Sequence, residues 1–118
     1  MNARGRGLGH TLLRHVAKSN RYLRGRIQSG YKQASTFSSR ALAEDAISGA
    51  ILLRGWRVAQ FLKSKRTVDV FEQEFDRAVG RVMLKDGTIR FTRRIRVVLQ
   101  KDPRHPLGYF IKTSYPIL

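Results

Sequence analysis

The residues best suited to chemistry stand at the end of the chain, where Gly108-Tyr109-Phe110-Ile111-Lys112-Thr113-Ser114-Tyr115-Pro116 reads as a short strand stopped by proline. Thr113 and Tyr115 are two residues apart, and side chains alternate faces along a strand, so their hydroxyls point the same way while Lys112 points the other. On a chain of net charge +16, two aligned hydroxyls form a surface able to hold a phosphate and to work on it. RNA chemistry is therefore the first hypothesis.

The elements that must position these groups fit within 118 residues, the size of one domain with an adequate core. Ordinary globular usage, 42% hydrophobic and 27% charged, argues against disorder through the body. The balance of charge is unusual: 24 Lys and Arg face 8 Asp and Glu, so the surface should attract polyanions, nucleic acid foremost. A membrane surface competes as polyanion, but the longest mostly apolar run, Ala46 to Leu53, is far short of the roughly 20 residues a spanning helix needs, and no membrane insertion is expected. Without cysteine there is neither a disulfide framework nor a thiolate metal site. Arg4-Gly5-Arg6-Gly7 is not followed by the apolar stretch of a secretory signal; residues 1–7 are expected to be a flexible leader and residues 8–118 the folded domain.

From Gly9 to Gln28 the apolar residues Leu12, Leu13, Val16, Leu23 and Ile27 recur at helical spacing, interrupted at Lys18-Ser19-Asn20, which predicts two short helices. Ser29-Gly30 stops the second, and Ala34 to Ser39 reads as a loop ending in a new N-cap. A long helical stretch follows over about Arg40 to Lys63, weakened at Gly49 and Gly55, with Trp56 and Phe61 expected in the core. After Lys65 the pattern changes to strands. Val68 to Phe75 opens one, and Val79 to Lys85 and Thr88 to Leu99 flank the hairpin signal Asp86-Gly87. Helices first and an antiparallel sheet second make an α+β domain.

Taken in order, His15-Val16-Ala17-Lys18-Ser19, Leu23 and Arg26, Ala34-Ser35-Thr36-Phe37, Arg94 to Leu99, and Gly108-Tyr109 with Thr113-Ser114-Tyr115-Pro116 resemble the ribonuclease A-like toxin domain at the C-termini of bacterial contact-dependent inhibition proteins of the CdiA type. The likeness runs from about Leu8 to Pro116, and one departure is Ala17, where glycine is expected in the family. The resemblance implies a kidney-shaped α+β fold with N-terminal helices on a C-terminal antiparallel sheet, and a metal-independent ribonuclease needing no cofactor. It also implies a catalytic histidine at His15, a cationic partner at Arg26, and Thr113 and Tyr115 on the last strand.

These residues can be weighed without it. Of three histidines, His15 sits in an apolar pattern, His10 lies near the start and His105 lies in a loop between Arg104 and Pro106. A positioned imidazole can take the proton of a ribose 2′-hydroxyl at neutral pH; the plain alternative is a helix-face histidine satisfied by a backbone group. On one unbroken helix Arg26 would stand about 16 Å from His15, too far to serve one phosphate, so the site demands the break at Lys18 to Asn20. Arg26 would then stabilise charge on the phosphorane oxygens; the alternative is a solvated arginine. Lys18 could reach phosphate as a substrate-binding residue. Thr113 could donate to a phosphate or base edge, and Tyr115 could bind phosphate, stack on a base or protonate the leaving oxygen, with His105 and His10 as substitutes for that last role. Both could equally be a strand face packed on a helix. Arg90, Arg93, Arg94 and Arg96 read as a cluster scattered over both strand faces, serving long-range attraction of RNA.

Other chemistries lack their residues. The histidines and sparse acids are not grouped as metal ligands, and Glu72, Glu74 and Asp76 share a face beside basic neighbours, a pattern for ion pairing. No nucleotide-binding glycine loop or serine triad is present. The expected activity is RNA cleavage by the 2′-oxygen to a 2′,3′-cyclic phosphate, in a toxin made as the tail of a large surface exoprotein. It would be delivered into a neighbouring cell's cytoplasm and blocked at home by an acidic immunity protein. The rival is a non-catalytic RNA-binding module, for which charge and a sheet surface suffice.

Overall fold

The computed structural model of the protein describes residues 14–118. The expected leader, His10 and the opening of the first expected helix lie outside them. Where that helix should continue, Arg14 and His15 form a turn and Val16 makes a parallel bridge to Phe37. The Phe37 amide donates to the His15 carbonyl at 2.6 Å and the Ala17 amide to the Phe37 carbonyl at 2.9 Å. Helical periodicity here was thus a consequence of Val16 reaching the core from an extended segment. Ala17 takes a left-handed φ of 53°, a conformation glycine adopts at least cost, which gives the glycine expected at this position its physical reason. Ser19 then caps α1 (Asn20–Gln28), its hydroxyl accepting from the Tyr22 amide at 3.1 Å. The required break before Asn20 is present.

The expected loop at Ala34 to Phe37 is instead strand β1 (Gln33–Phe37), buried over its last four residues. Serine and threonine favour turns locally, but pairing with a distant strand overrides them here. Ser39 does cap the next helix, accepting from the Leu42 amide at 3.0 Å. The long helical stretch divides into α2 (Arg40–Leu53) and α3 (Gly55–Lys63) at Arg54, so Gly55 marks the break and Gly49 stays within α2. Phe61 is buried, whereas Trp56 is 78% exposed: at the first turn of α3 it lies on the face away from Val58 and Phe61.

The strands are β2 (Val68–Glu74), β3 (Gly80–Leu84), β4 (Ile89–Thr92), β5 (Arg94–Lys101) and β6 (Tyr109–Ile117). Asp86-Gly87 turns β3 into β4 as expected, with Gly87 at φ 89° and the Asp86 carboxylate accepting from the Thr88 amide at 2.9 Å. The expected run from Thr88 to Leu99 is two strands, however, and the one expected sheet is two antiparallel sheets, ordered β1-β3-β4 and β2-β5-β6. The chain changes sheets at Arg93. The Thr92 hydroxyl ties the crossing, accepting from the Arg94 amide at 3.1 Å and donating to the Ile117 carbonyl.

The main core lies between α2, α3 and the inner face of β2-β5-β6, with Ile47, Phe61, Phe71, Ile95, Val97 and Leu99 at its centre. A smaller cluster of Leu23, Ala34 and Met83 seats α1 on the first sheet. The sheets meet at Gly80: a Cβ there would collide with the Thr36 carbonyl oxygen and lie 2.7 Å from the Pro116 ring, so only glycine permits the approach.

Candidate active site

Odd positions of β5, Ile95, Val97 and Leu99, are fully buried, which turns Arg94, Arg96 and Val98 to the opposite face. Strand β6 pairs along this edge with a bulge: Leu99 faces Ile111 but Val98 faces Thr113, leaving Lys112 as the extra residue. The bulge reverses the parity of β6. Ile111 packs on the core before it and Ser114 and Pro116 are buried after it, so Thr113 and Tyr115 share the outer face with Val98 and Arg96. The shared strand face expected for Thr113 and Tyr115 is therefore present, although the Thr113 hydroxyl is buried.

One row then crosses the second sheet. Glu72, Arg96 and Tyr115 are direct neighbours on β2, β5 and β6. The Arg96 guanidinium donates to a Glu72 carboxylate oxygen at 2.7 and 3.2 Å and to the Tyr115 hydroxyl at 3.4 Å. Glu72 and then the Tyr115 hydroxyl raise the pKa of Arg96, securing its charge.

A cleft of about 590 Å³ opens between this row and the first sheet, lined among others by His15, Arg26, Tyr31, Gln33, Arg96 and Tyr115. That is within the range of small-ligand sites. His15 hangs from the extended segment bonded to the end of β1, its ring centroid 5.2 Å from that of Tyr115 at an angle of 40°. Burial lowers its pKa below 6.5, the Arg26 charge lowers it further, and Arg14 and Lys18 add to this against the opposing backbone hydrogen bond at Ser35. The ring is therefore neutral at neutral pH, the form that accepts a proton.

His15, Arg26 and Tyr115 are thus brought to one cleft. Thr113 is not among its lining residues, and its hydroxyl is buried without a hydrogen-bond partner. Lys18 is also outside the lining: its ammonium sits over the Tyr22 ring at 5.1 Å, while its backbone donates to the Thr36 hydroxyl and accepts from Arg81. It reaches the site only as charge felt by His15. His105 caps its own loop, Nδ1 accepting from the Leu107 amide at 3.1 Å.

Sequence reasoning missed Arg94, Arg96, Glu72 and Tyr31 as cleft residues. The signal for the arginines was present: both have the parity opposite to Ile95, Val97 and Leu99, so they belong to one face rather than two. The acids pair as expected for Glu72 with Arg96 and Glu74 with Arg93, while Asp69 is buried between Arg57 and Arg66. Among the described residues no group of three His, Cys, Asp or Glu is gathered as metal ligands, and no helix is long and apolar enough to cross a membrane.

Two antiparallel sheets enclosing a basic cleft, with His15, arginines and a tyrosine on its walls, make an α+β domain. The family described as "Bacterial CdiA-CT RNAse A domain" matches residues 9–116, and the chain belongs to that family. Its structure is similar to that in a crystal structure of a CdiA-CT/CdiI complex from Y. kristensenii 33638, with a TM-score of 0.89 and 28% identity, covering 93% of this chain and 100% of that one. A comparison with curated proteins finds no match.

Proposed function

We propose that this domain is a metal-independent toxin ribonuclease that cleaves RNA by attack of the ribose 2′-oxygen on the adjacent phosphorus. His15 takes the 2′-hydroxyl proton as the new P–O bond forms. The 5′-oxygen leaves with a proton supplied by the Tyr115 hydroxyl, giving a 2′,3′-cyclic phosphate and a 5′-hydroxyl, and the proton on His15 restores the tyrosine afterwards. Arg26 faces the non-bridging oxygens and offsets the charge that grows on them. Thr113 sits two residues along β6 from Tyr115, on the same face, where its unpartnered hydroxyl can turn to the phosphate when RNA fills the cleft. Lys18 adds electrostatic attraction for the strand.

The observation that carries this reading is the meeting, in one cleft, of a histidine held neutral, Arg26 and Tyr115. The family and the solved complex support the biological setting. The domain acts as the tail of a surface exoprotein, is delivered into the cytoplasm of a neighbouring cell, and is neutralised in the producer by an acidic immunity protein that covers the cleft. Mapping RNA fragment ends after incubation with purified protein and a chelator tests the chemistry: cyclic phosphate termini are expected from the wild type and none from His15→Ala. Equal, negligible cleavage by both, with salt-dependent RNA binding retained, would instead identify a non-catalytic RNA-binding module.

A further inference from the structure

The end of α1 is built so that one ring lies against Arg26. Gly30, at φ 107°, follows the cap residue Ser29; its amide donates to the Ile27 carbonyl at 3.0 Å, and the Tyr31 amide donates to the Arg26 carbonyl at 3.2 Å. These two bonds form a Schellman cap, in which the second residue past the cap, here Tyr31, is brought against the third residue from the helix end, here Arg26. An apolar contact commonly fills that place. In this chain the Arg26 guanidinium lies 4.1 Å from the Tyr31 ring centroid, and both residues line the cleft.

Among the described residues the Arg26 guanidinium has no ion pair. The distinction matters for chemistry. A carboxylate holds an arginine by cancelling its charge and occupying its N–H groups, whereas an aromatic face holds it through the ring quadrupole and leaves both the charge and the N–H edges free. A cation that must meet an anionic transition state is better served by the second arrangement, provided its long side chain is kept in one place.

We propose that Tyr31 is the positioning residue for Arg26, fixing the free guanidinium at the distance from His15 and the scissile phosphate that cleavage requires. The proposal rests on the roles given above to His15 and Arg26, but its first readout does not need turnover. Arg26 is the charge that most depresses His15; the other groups facing the imidazole are Arg14 and Lys18 from its own segment, the Ser35 backbone from β1 and Tyr115 from β6. Release of Arg26 should therefore raise the His15 titration midpoint toward its ordinary value.

The test is an NMR titration of His15 in the whole domain, together with steady-state cleavage of a short RNA. Tyr31→Phe keeps the ring and should match the wild type in both. Tyr31→Leu removes it at a position that is 51% exposed, so the fold should survive. It is expected to raise the His15 midpoint and to lower kcat by about 10- to 100-fold with a smaller change in KM. Should the leucine variant unfold, Tyr31→Gln carries the same expectation. In an Arg26→Gln background, the loss of Tyr31 should no longer move His15. An unchanged midpoint and kcat in a folded Tyr31→Leu protein would overturn the proposal, as would an equal shift with Arg26 already removed. If the wild type cleaves no RNA, the ribonuclease reading falls while the titration still decides whether Tyr31 holds Arg26.

Discussion

The two walls of the cleft hold their arginines in opposite ways. On the α1–β1 side Arg26 rests on the Tyr31 ring and makes no ion pair among the described residues. On the β2-β5-β6 side Arg96 is bound by Glu72, and the pair is presented beside Tyr115. Position in the fold explains the difference. Arg26 lies near a helix end, where a cap brings in a residue of any type, while Arg96 lies on a central strand whose direct cross-strand neighbour happens to be Glu72. The first wall suits an anion that develops charge during reaction; the second suits a fixed framework that orients the tyrosine.

The largest test of this contrast is in activity. Arg26→Ala is expected to lower kcat by about 10²- to 10³-fold, the scale of losing one aimed donor to a transition-state oxyanion. Arg96→Ala should cost about tenfold less than that, because it loosens Tyr115 without removing an uncompensated charge; equal losses in single-turnover rates would erase the distinction between the walls.

A second test moves the walls themselves. Gly80→Ala should destabilise the fold by about 2 to 3 kcal/mol in a denaturant titration, since the added methyl meets the Thr36 carbonyl and Pro116 where the sheets join. Cleavage should fall with it even under conditions where the variant remains folded. Retained stability would mean that the sheets have freedom to separate.

The pH profile separates the walls by charge. With its pKa lowered in the folded protein, His15 has its titration midpoint below 6.5, so the acidic limb of kcat/KM should lie on the acid side of 6.5. Arg26→Ala removes one depressing charge and should move that limb to higher pH, whereas Arg96→Ala should leave it nearly in place. The same shift bears on stability: between the folded value and 6.5 the unfolded chain binds more protons, so folding weakens as pH falls through this window. The smallest effect is expected at Ala17. Ala17→Gly relieves the left-handed alanine at φ 53° while adding freedom to the unfolded chain, for a net gain of about 0.5 kcal/mol in thermal or denaturant unfolding.

Local chemistry was most legible where one or two residues decide the outcome. The break at Ser19, the caps at Ser39 and Gly30, and the Asp86-Gly87 turn all act through bonds within a few residues. Strand β1 was hidden because its partner, β3, lies more than forty residues away in the chain, and Arg93 was hidden because nothing nearby distinguishes a continuous strand from one that changes sheets. Trp56 was misplaced for a related reason: helical periodicity gives a face to each residue but does not say which face meets the core.

The chain's order alone determined a strongly positive surface, an interrupted helix ahead of Arg26, and a shared strand face for Thr113 and Tyr115, since charge, capping and strand alternation are properties of composition and short spacing. Tertiary structure decided the rest. The bulge at Lys112 set Thr113 and Tyr115 on the outer face of their sheet, the two sheets met at Gly80 to make a cleft, and cross-strand pairing set Glu72 on Arg96 while leaving Arg26 to an aromatic ring. Each of these depends on residues that become neighbours only when distant strands pair, and no local preference encodes such a meeting.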